Sequence, residues 1–131
     1  MDGSMNIRVL VVEDDYVIAL YIGRQLVDAG FEVVGPATSV ADALRLVAEP
    51  GCDVAVLNVK LGDETSEPIA RKLQVSGKPF IVLSGYLTND LLPYFKGATT
   101  FLTKPVPVAQ LVAAVSRCVD VGSKTGTPDA H

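Results

Sequence analysis

The fold is decided first by residues 7–15, which read IRVLVVEDD. The first six of them form a nearly continuous aliphatic run, as expected for a strand buried on both faces of a parallel sheet. Three carboxylates follow, and an acidic side chain at such a point can cap the next helix. We therefore predict a strand over residues 7–12 and, after the acidic residues, a helix that begins at Tyr16.

The rest of the chain repeats this alternation of strand and helix. Short apolar runs alternate with stretches in which apolar residues recur at helical spacing. Strands are predicted at residues 7–12, 31–35, 53–57, 80–83 and 100–102. Helices are predicted at residues 16–29, 40–48, 67–75, 88–95 and 108–121. This order predicts the α/β class, with a doubly wound five-stranded parallel sheet and helices on both faces.

Local signals place several helix ends and one loop. Asp15 and Ser39 are predicted N-caps, and Pro68 is acceptable only in the first turn of its helix. Residues 60–64 are predicted to be a polar loop. The apolar residues at helical spacing in the first helix are Val17, Leu20, Ile22, Leu26 and Val27.

The bulk composition limits the classes of function. The chain has 131 residues, of which 49% are hydrophobic, and a net charge of -4. This length suits one domain, predicted at residues 6–121, with flexible tails at 1–5 and 122–131. An acidic chain is not expected to bind DNA directly, and no apolar run is long enough to cross a membrane. Cys52 and Cys118 lack metal-type spacing, which favours buried thiols in a cytoplasmic protein.

Polar side chains follow four of the five predicted strands. Glu13 and Asp14 follow the first strand, Asn58 the third, Ser84 the fourth and Lys104 the fifth. The carboxyl ends of parallel strands meet at one edge of the sheet, where such folds bind their ligands. We therefore expect two acids, an amide, a hydroxyl and an ammonium group at this edge.

These groups suit phosphoryl chemistry, with one component missing. Clustered carboxylates favour a hard cation such as Mg²⁺, and a hydroxyl and an ammonium group can bind phosphoryl oxygens. A carboxylate at position 58 could attack phosphorus, but the amide of Asn58 is a poor nucleophile and carries no charge. Ser84 could instead simply end a strand, and Lys104 could be a solvated charge, although their joint placement disfavours both alternatives.

Four motifs resemble the receiver domains of two-component response regulators. They are VVEDD at residues 11–15, VAVLNVKL at 54–61, Ser84-Gly85 and Lys104-Pro105. The resemblance covers residues 6–120 and implies the flavodoxin-like receiver fold, with strand order 2-1-3-4-5. Residues 79–86, PFIVLSGY, also resemble the Pro-Phe-x-Phe-Ala-Thr-Gly-Tyr signature of single-domain receivers common in alphaproteobacteria, with three substitutions.

The resemblance implies a role for each residue of the acidic cluster. Glu13 and Asp14 match the pair that holds Mg²⁺, and the backbone carbonyl of Lys60 matches a further ligand. Asn58 matches the phosphoacceptor aspartate, which also contacts the metal. Because Asn58 lacks the carboxylate, we expect Mg²⁺ binding to be weakened.

The same resemblance assigns the remaining positions. Ser84 and Lys104 match the hydroxyl and the lysine that contact the phosphoryl group, and a cis peptide is expected at Lys104–Pro105. Phe101 matches the aromatic switch position. The resemblance also places Phe101 and Tyr86 on the face that receivers commonly use for partners, although both could be ordinary half-buried aromatic residues.

The resemblance implies a non-enzymatic, cytoplasmic phosphorelay receiver. Its partners would be a sensor histidine kinase or histidine phosphotransfer protein and a downstream protein target. Asn58 has three interpretations. It could be an experimentally replaced aspartate, or it could belong to a natural receiver that works by partner binding alone, and the sequence does not separate these two. The third and least favoured is an amide that slowly deamidates and so regains activity. The alternative function is a pseudo-receiver, a protein-interaction module without phosphoryl chemistry. A flavodoxin-like ligand binder is disfavoured, because no Gly-rich phosphate loop follows the first strand.

Overall fold

The computed structural model describes residues 6–85 and 92–126. In chain order the strands are β1 Arg8–Val12, β2 Glu32–Ala37, β3 Val54–Asn58, β4 Lys60–Leu61, β5 Glu64–Thr65, β6 Phe80–Ser84 and β7 Thr100–Thr103. The helices are α1 Tyr16–Asp28, α2 Val40–Ala48, α3 Glu67–Val75 and α4 Val108–Gly126, with a 3₁₀ helix at Leu92–Phe95.

Five of these strands form a parallel sheet in the order β2-β1-β3-β6-β7. Counted along the chain, this is the predicted order 2-1-3-4-5. The register pairs Val9 with Val54 and Ala55 with Phe80, so the central strands β1, β3 and β6 end at one edge. The predicted doubly wound sheet is therefore confirmed.

Alternate side chains of the central strands pack into two cores on opposite faces of the sheet. One core joins the sheet to α2 and α3 through Leu10, Val12, Leu57, Val82, Ala43, Ile69 and Leu73. The other joins it to α1 and α4 through Val9, Val11, Val56, Ile81, Ile22, Leu26, Leu111 and Val115. Burying one such aliphatic side chain contributes about 1.5–3 kcal/mol. The strands are continuously apolar because both of their faces are covered.

The local signals for helix ends are confirmed. The Asp15 carboxylate accepts hydrogen bonds from the first-turn amides of α1, and the Ser39 hydroxyl accepts one from the amide of Asp42. Pro68 lies in the first turn of α3. Cys52 and Cys118 are buried and form no disulfide, and burial raises the pKa of both thiols.

Several predicted boundaries and one loop differ from the structure. Residues 60–65 are not a plain polar loop, because β4 and β5 pair as an antiparallel hairpin. β2 runs two residues past the predicted end at Gly35, and α4 continues beyond Val121 to Gly126. Of the helix predicted at residues 88–95, only the 3₁₀ turn is described, since residues 86–91 lie outside the described part of the chain.

The buried face of α1 also differs from the prediction. Its buried residues are Ala19, Ile22 and Leu26. Val17, Leu20 and Val27, which share the apolar spacing, are exposed instead. A helix with apolar residues around much of its circumference does not show by spacing alone which side faces the sheet.

Candidate functional site

The predicted site residues lie at the carboxyl edge of the parallel sheet. Glu13 and Asp14 follow β1, Asn58 ends β3, Ser84 ends β6 and Lys104 follows β7. The order of the strands places these ends side by side, although the residues are up to 91 positions apart in sequence. Hydrogen bonds connect four of these side chains, and the described sheet gathers all five at one edge.

Asn58 lies at the centre of this cluster, and only 8% of its surface is exposed. Its amide nitrogen donates to the backbone carbonyl of Lys60 at 2.7 Å. The same nitrogen lies 3.4 Å from Asp14 Oδ1 and 3.5 Å from Glu13 Oε2. One hydrogen bond is therefore short and two are long, and all three acceptors are oxygens that the sequence predicts as metal ligands.

Glu13 is the most deeply buried charged residue of the cluster, with 2% of its surface exposed. Its Oε1 accepts from Lys104 Nζ at 3.2 Å, and its Oε2 accepts from the amide of Asp15 at 3.1 Å. Burial raises the pKa of Glu13, while the backbone hydrogen bond and the Lys104 charge act in the opposite direction. The carboxylate is thus desolvated and is compensated mainly by one backbone amide and one ammonium group.

Asp14 is exposed and points toward the hairpin formed by β4 and β5. Its Oδ2 accepts from the backbone amide of Gly62 at 2.9 Å. This hydrogen bond is the largest reason that the pKa of Asp14 is lowered. Asp14 therefore ties the hairpin loop to the end of β1 in addition to facing the Asn58 amide.

Ser84 and Lys104 form the other side of the cluster. Ser84 is 7% exposed, and its carbonyl accepts from the amide of Lys104 at 2.7 Å, which joins the ends of β6 and β7. The Lys104 side chain is 31% exposed. The Lys104–Pro105 peptide is cis, as predicted.

Of the two predicted switch and interaction residues, the structure describes only Phe101. Phe101 lies on β7, opposite Val82 of β6, and is half-buried against the core on the α2 and α3 face. Tyr86 lies outside the described residues. The switch role of Phe101 and the partner role of both residues remain predictions.

The metal prediction depends on how the oxygens of this site are engaged. Glu13, Asp14 and the Lys60 carbonyl are the groups that could hold Mg²⁺, which prefers oxygen ligands. The Asn58 amide nitrogen, which is not an Mg²⁺ ligand, faces all three of them. Within residues 6–85 and 92–126, no group of three or more His, Cys, Asp or Glu side chains is arranged to hold a metal ion. As they stand, these residues do not fit an Mg²⁺ site.

Sequence reasoning missed the contribution of the hairpin to this site. The Gly62 amide binds Asp14, and the Glu64 carboxylate reaches the first amide of α2, from Val40, at 3.4 Å. A signal was present, because Gly62-Asp63 is a two-residue turn that requires a positive φ, and Gly62 has φ 63°. Glycine adopts this conformation without steric cost.

An apolar cavity of about 410 Å³ lies beside Lys104 and was also missed. Its wall includes Ile18 and Ile22 of α1, Leu83 of β6, Leu111 of α4 and Pro105, which lies between β7 and α4. The sequence did not reveal it, because it depends on how these two helices are spaced over the sheet.

Comparison with curated proteins identifies relatives among bacterial regulators. The transcriptional regulatory protein PdtaR of Mycobacterium tuberculosis is 28% identical over 124 residues, which cover 90% of this chain and 59% of the relative. The transcriptional regulatory protein PrrA of Mycobacterium bovis is 33% identical, with 98% of this chain and 57% of the relative covered. The chain therefore spans less than two thirds of the length of these relatives.

Solved structures show the same fold. A CheY-like receiver domain protein from Methanospirillum hungatei has a TM-score of 0.85 at 23% identity, covering 92% of this chain and 98% of that one. A receiver domain protein from Clostridium thermocellum has a TM-score of 0.79 at 27% identity, covering 89% and 97%. A response regulator from Burkholderia pseudomallei, solved with a phosphorylated aspartic acid, a calcium ion and citrate, has a TM-score of 0.76 at 23% identity, covering 92% and 73%.

No helix in the described ranges is both long and apolar enough to cross a membrane. The family model for the response regulator receiver domain matches residues 9–116, which include every site residue described above and all of the five-stranded sheet except Arg8. The chain therefore belongs to the response regulator receiver domains, the modules of two-component systems that interact with histidine kinases and downstream effectors.

Proposed function

We propose that this chain is a phosphorelay receiver whose aspartate form takes a phosphoryl group at position 58, whereas the chain itself, with Asn58, does not. The observation that carries this proposal is the placement of Asn58. It ends β3 beside Glu13 and Asp14, where the family resemblance puts the phosphoacceptor, and it is almost fully buried.

The chemistry of the amide supports this proposal. An aspartate oxygen could attack phosphorus with a lone pair and form an acyl phosphate, while the donor's leaving group departs with the bonding electrons. The amide nitrogen of Asn58 has its lone pair delocalised into the carbonyl, and it faces acceptor oxygens rather than an incoming donor. Ser84 and Lys104 would still supply a hydroxyl and an ammonium group for phosphoryl oxygens.

The proposed partners follow from the same assignment. A histidine kinase or a histidine phosphotransfer protein would dock at the carboxyl edge of the sheet, and a downstream protein would bind the face that includes Phe101 and Tyr86. The PFIVLSGY run at residues 79–86 supports placement in the single-domain subfamily. Asp14 is exposed, so the acidic part of the site reaches the surface, where a partner would dock.

The test is incubation with MgCl₂ and acetyl phosphate, followed by intact mass measurement. The chain is expected to gain no phosphoryl adduct, whereas Asn58→Asp is expected to gain one, because it restores the nucleophile. A stoichiometric adduct on residue 58 of the parent chain would contradict the proposal. An unmodified Asn58→Asp variant that is folded would contradict the assignment of position 58.

A second candidate is a pseudo-receiver whose natural form has no phosphoryl chemistry. The short hydrogen bond from Asn58 to the Lys60 carbonyl favours it, because the amide is well accommodated at this position. Codon 58 of the encoding gene discriminates the two candidates. An aspartate codon supports a switchable receiver, and an asparagine codon supports the pseudo-receiver.

A further inference from the structure

Receiver domains usually hold a divalent cation among their acidic residues. In this chain, protein groups occupy the place of that cation. We propose that the Asn58 amide and the Lys104 ammonium group take the place of that cation, so that the acidic cluster is complete without metal and closed to Mg²⁺. This inference deepens the proposed function, since it concerns the same site. Its test is separate, because it measures metal binding and stability rather than phosphorylation.

The first support is the orientation of the Asn58 amide. Its nitrogen lies 2.7 Å from the Lys60 carbonyl and within 3.5 Å of oxygens of both Glu13 and Asp14. The opposite orientation would bring the amide oxygen against three acceptor oxygens with no hydrogen between them. The neighbours therefore determine which end of the amide points inward.

The second support is that protein donors already engage the oxygens a cation would need. Lys104 Nζ engages one Glu13 oxygen, and the Asp15 amide engages the other. The Gly62 amide engages Asp14 Oδ2. An Mg²⁺ ion, with ligands at about 2.0–2.1 Å in octahedral geometry, would have to displace the Asn58 nitrogen from the middle of this set.

The third support is the local charge. Two carboxylates and one ammonium group leave a single negative charge among Glu13, Asp14 and Lys104. A neutral amide at position 58 adds nothing to that charge, whereas an aspartate there would raise it to two negative charges. The site of this chain therefore attracts a divalent cation less strongly than a site with an aspartate at position 58. The carboxylates also repel one another less, so a cation is less needed to relieve that repulsion.

The experiment compares the parent chain, Asn58→Asp and Asn58→Ala by thermal unfolding in EDTA and in about 10 mM MgCl₂, where a bound ligand raises Tm. The parent is expected to have the same Tm in both solutions, within about 1 °C, because no ligand-linked stabilisation occurs. Asn58→Asp is expected to unfold about 5 °C below the parent in EDTA, since a third carboxylate is unrelieved, and to recover in MgCl₂. Isothermal titration with MgCl₂ is expected to show binding to Asn58→Asp only.

Asn58→Ala separates the loss of the amide hydrogen bonds from the added negative charge of Asn58→Asp. It adds no carboxylate, so a lower Tm than the parent in EDTA measures what the amide contributes to the site through its hydrogen bonds to Glu13, Asp14 and the Lys60 carbonyl. Equal Tm values for Asn58→Ala and the parent in EDTA would overturn the inference that the amide replaces a cation. A Tm for Asn58→Asp in EDTA as high as that of the parent would do the same.

Binding of Mg²⁺ to the parent chain as tight as to Asn58→Asp would overturn the inference that the site is closed. If the parent bound Mg²⁺ but still took no phosphoryl group, the proposed function would stand and this inference alone would fail. If the parent were phosphorylated on residue 58, the proposed function would fail whatever the metal result.

Discussion

The two halves of the site are held in different ways. The half from β1 and β3 is closed, because the Asn58 amide faces both carboxylates and the Lys60 carbonyl. The half at the ends of β6 and β7, called the phosphoryl half below, contains the Ser84 hydroxyl and the Lys104 ammonium group. Both groups could bind phosphoryl oxygens, although Lys104 also contacts Glu13 in the other half. Replacing a carboxylate by an amide therefore alters the acidic half most, because it removes a charge and adds two hydrogen-bond donors.

The largest effect on stability is expected from Lys104→Met, which breaks the link between the two halves. Glu13 is buried and would lose its ammonium partner, so we expect a loss of about 2 kcal/mol at neutral pH, below the range for fully buried pairs because Lys104 is partly exposed. Urea unfolding measures the loss. Lys72→Met, at an exposed position of α3, is the control, and an equal effect from both changes would contradict the link.

The pH dependence of that loss gives a sharper test. Burial raises the pKa of Glu13, so the folded state binds a proton at a higher pH than the unfolded state does, and ionisation of Glu13 lowers stability as the pH rises. Lys104 offsets part of this cost by lowering the pKa. The deficit in unfolding free energy of Lys104→Met should therefore be largest above the raised pKa of Glu13, where this carboxylate is ionised, and should shrink as the pH falls below the ordinary glutamate pKa, where Glu13 is protonated in both proteins. A deficit that grows on acidification would contradict this account.

A smaller effect is expected from Asp14→Ala, which acts within the acidic half alone. The variant loses the hydrogen bond from the Gly62 amide, at an expected cost of about 1 kcal/mol at an exposed site. Because that bond lowers the pKa of Asp14, its contribution is present above the ordinary aspartate pKa and is lost as the pH falls through the lowered value. Hydrogen exchange of the Gly62 amide should accelerate in Asp14→Ala and not in the exposed neighbour variant Asp63→Ala. Unchanged exchange would show that Asp14 does not hold the hairpin.

The smallest effect on stability is expected from Ser84→Ala, which acts within the phosphoryl half alone. Loss of one hydroxyl should cost about 0.5 kcal/mol. In the Asn58→Asp background the same change should slow the gain of a phosphoryl adduct on the order of tenfold or more, because one donor to the phosphoryl oxygens is removed. A time course of intact mass with acetyl phosphate measures it. An unchanged rate would remove Ser84 from the phosphoryl half.

The sheet and the membership of the site could be predicted from the sequence for a physical reason. A strand buried on both faces must be continuously apolar, and the polar residue that ends it must lie at the edge of the sheet. That argument placed Glu13, Asn58, Ser84 and Lys104 correctly, with no knowledge of their mutual distances.

The features that the sequence predicted wrongly or did not reveal depend on tertiary packing. Val17, Leu20 and Val27 have the same spacing as the buried residues of α1, and only the position of the helix over the sheet separates them. The β4–β5 hairpin has two residues in each strand, too short to show a period of its own. The direction of the Asn58 amide is set by three acceptors from distant parts of the chain, which residue types alone do not show.

The hydrogen bonds of the acidic cluster have a consequence for how the chain folds. Asn58 meets Asp14 across 44 residues and Glu13 across 45, and Lys104 meets Glu13 across 91. Contacts this distant in sequence bear a large loop-closure entropy and form only once the strands that carry them are paired. We therefore expect the cluster to form late in folding, after the strands that carry it have paired, so that its completion marks a chain whose sheet is assembled.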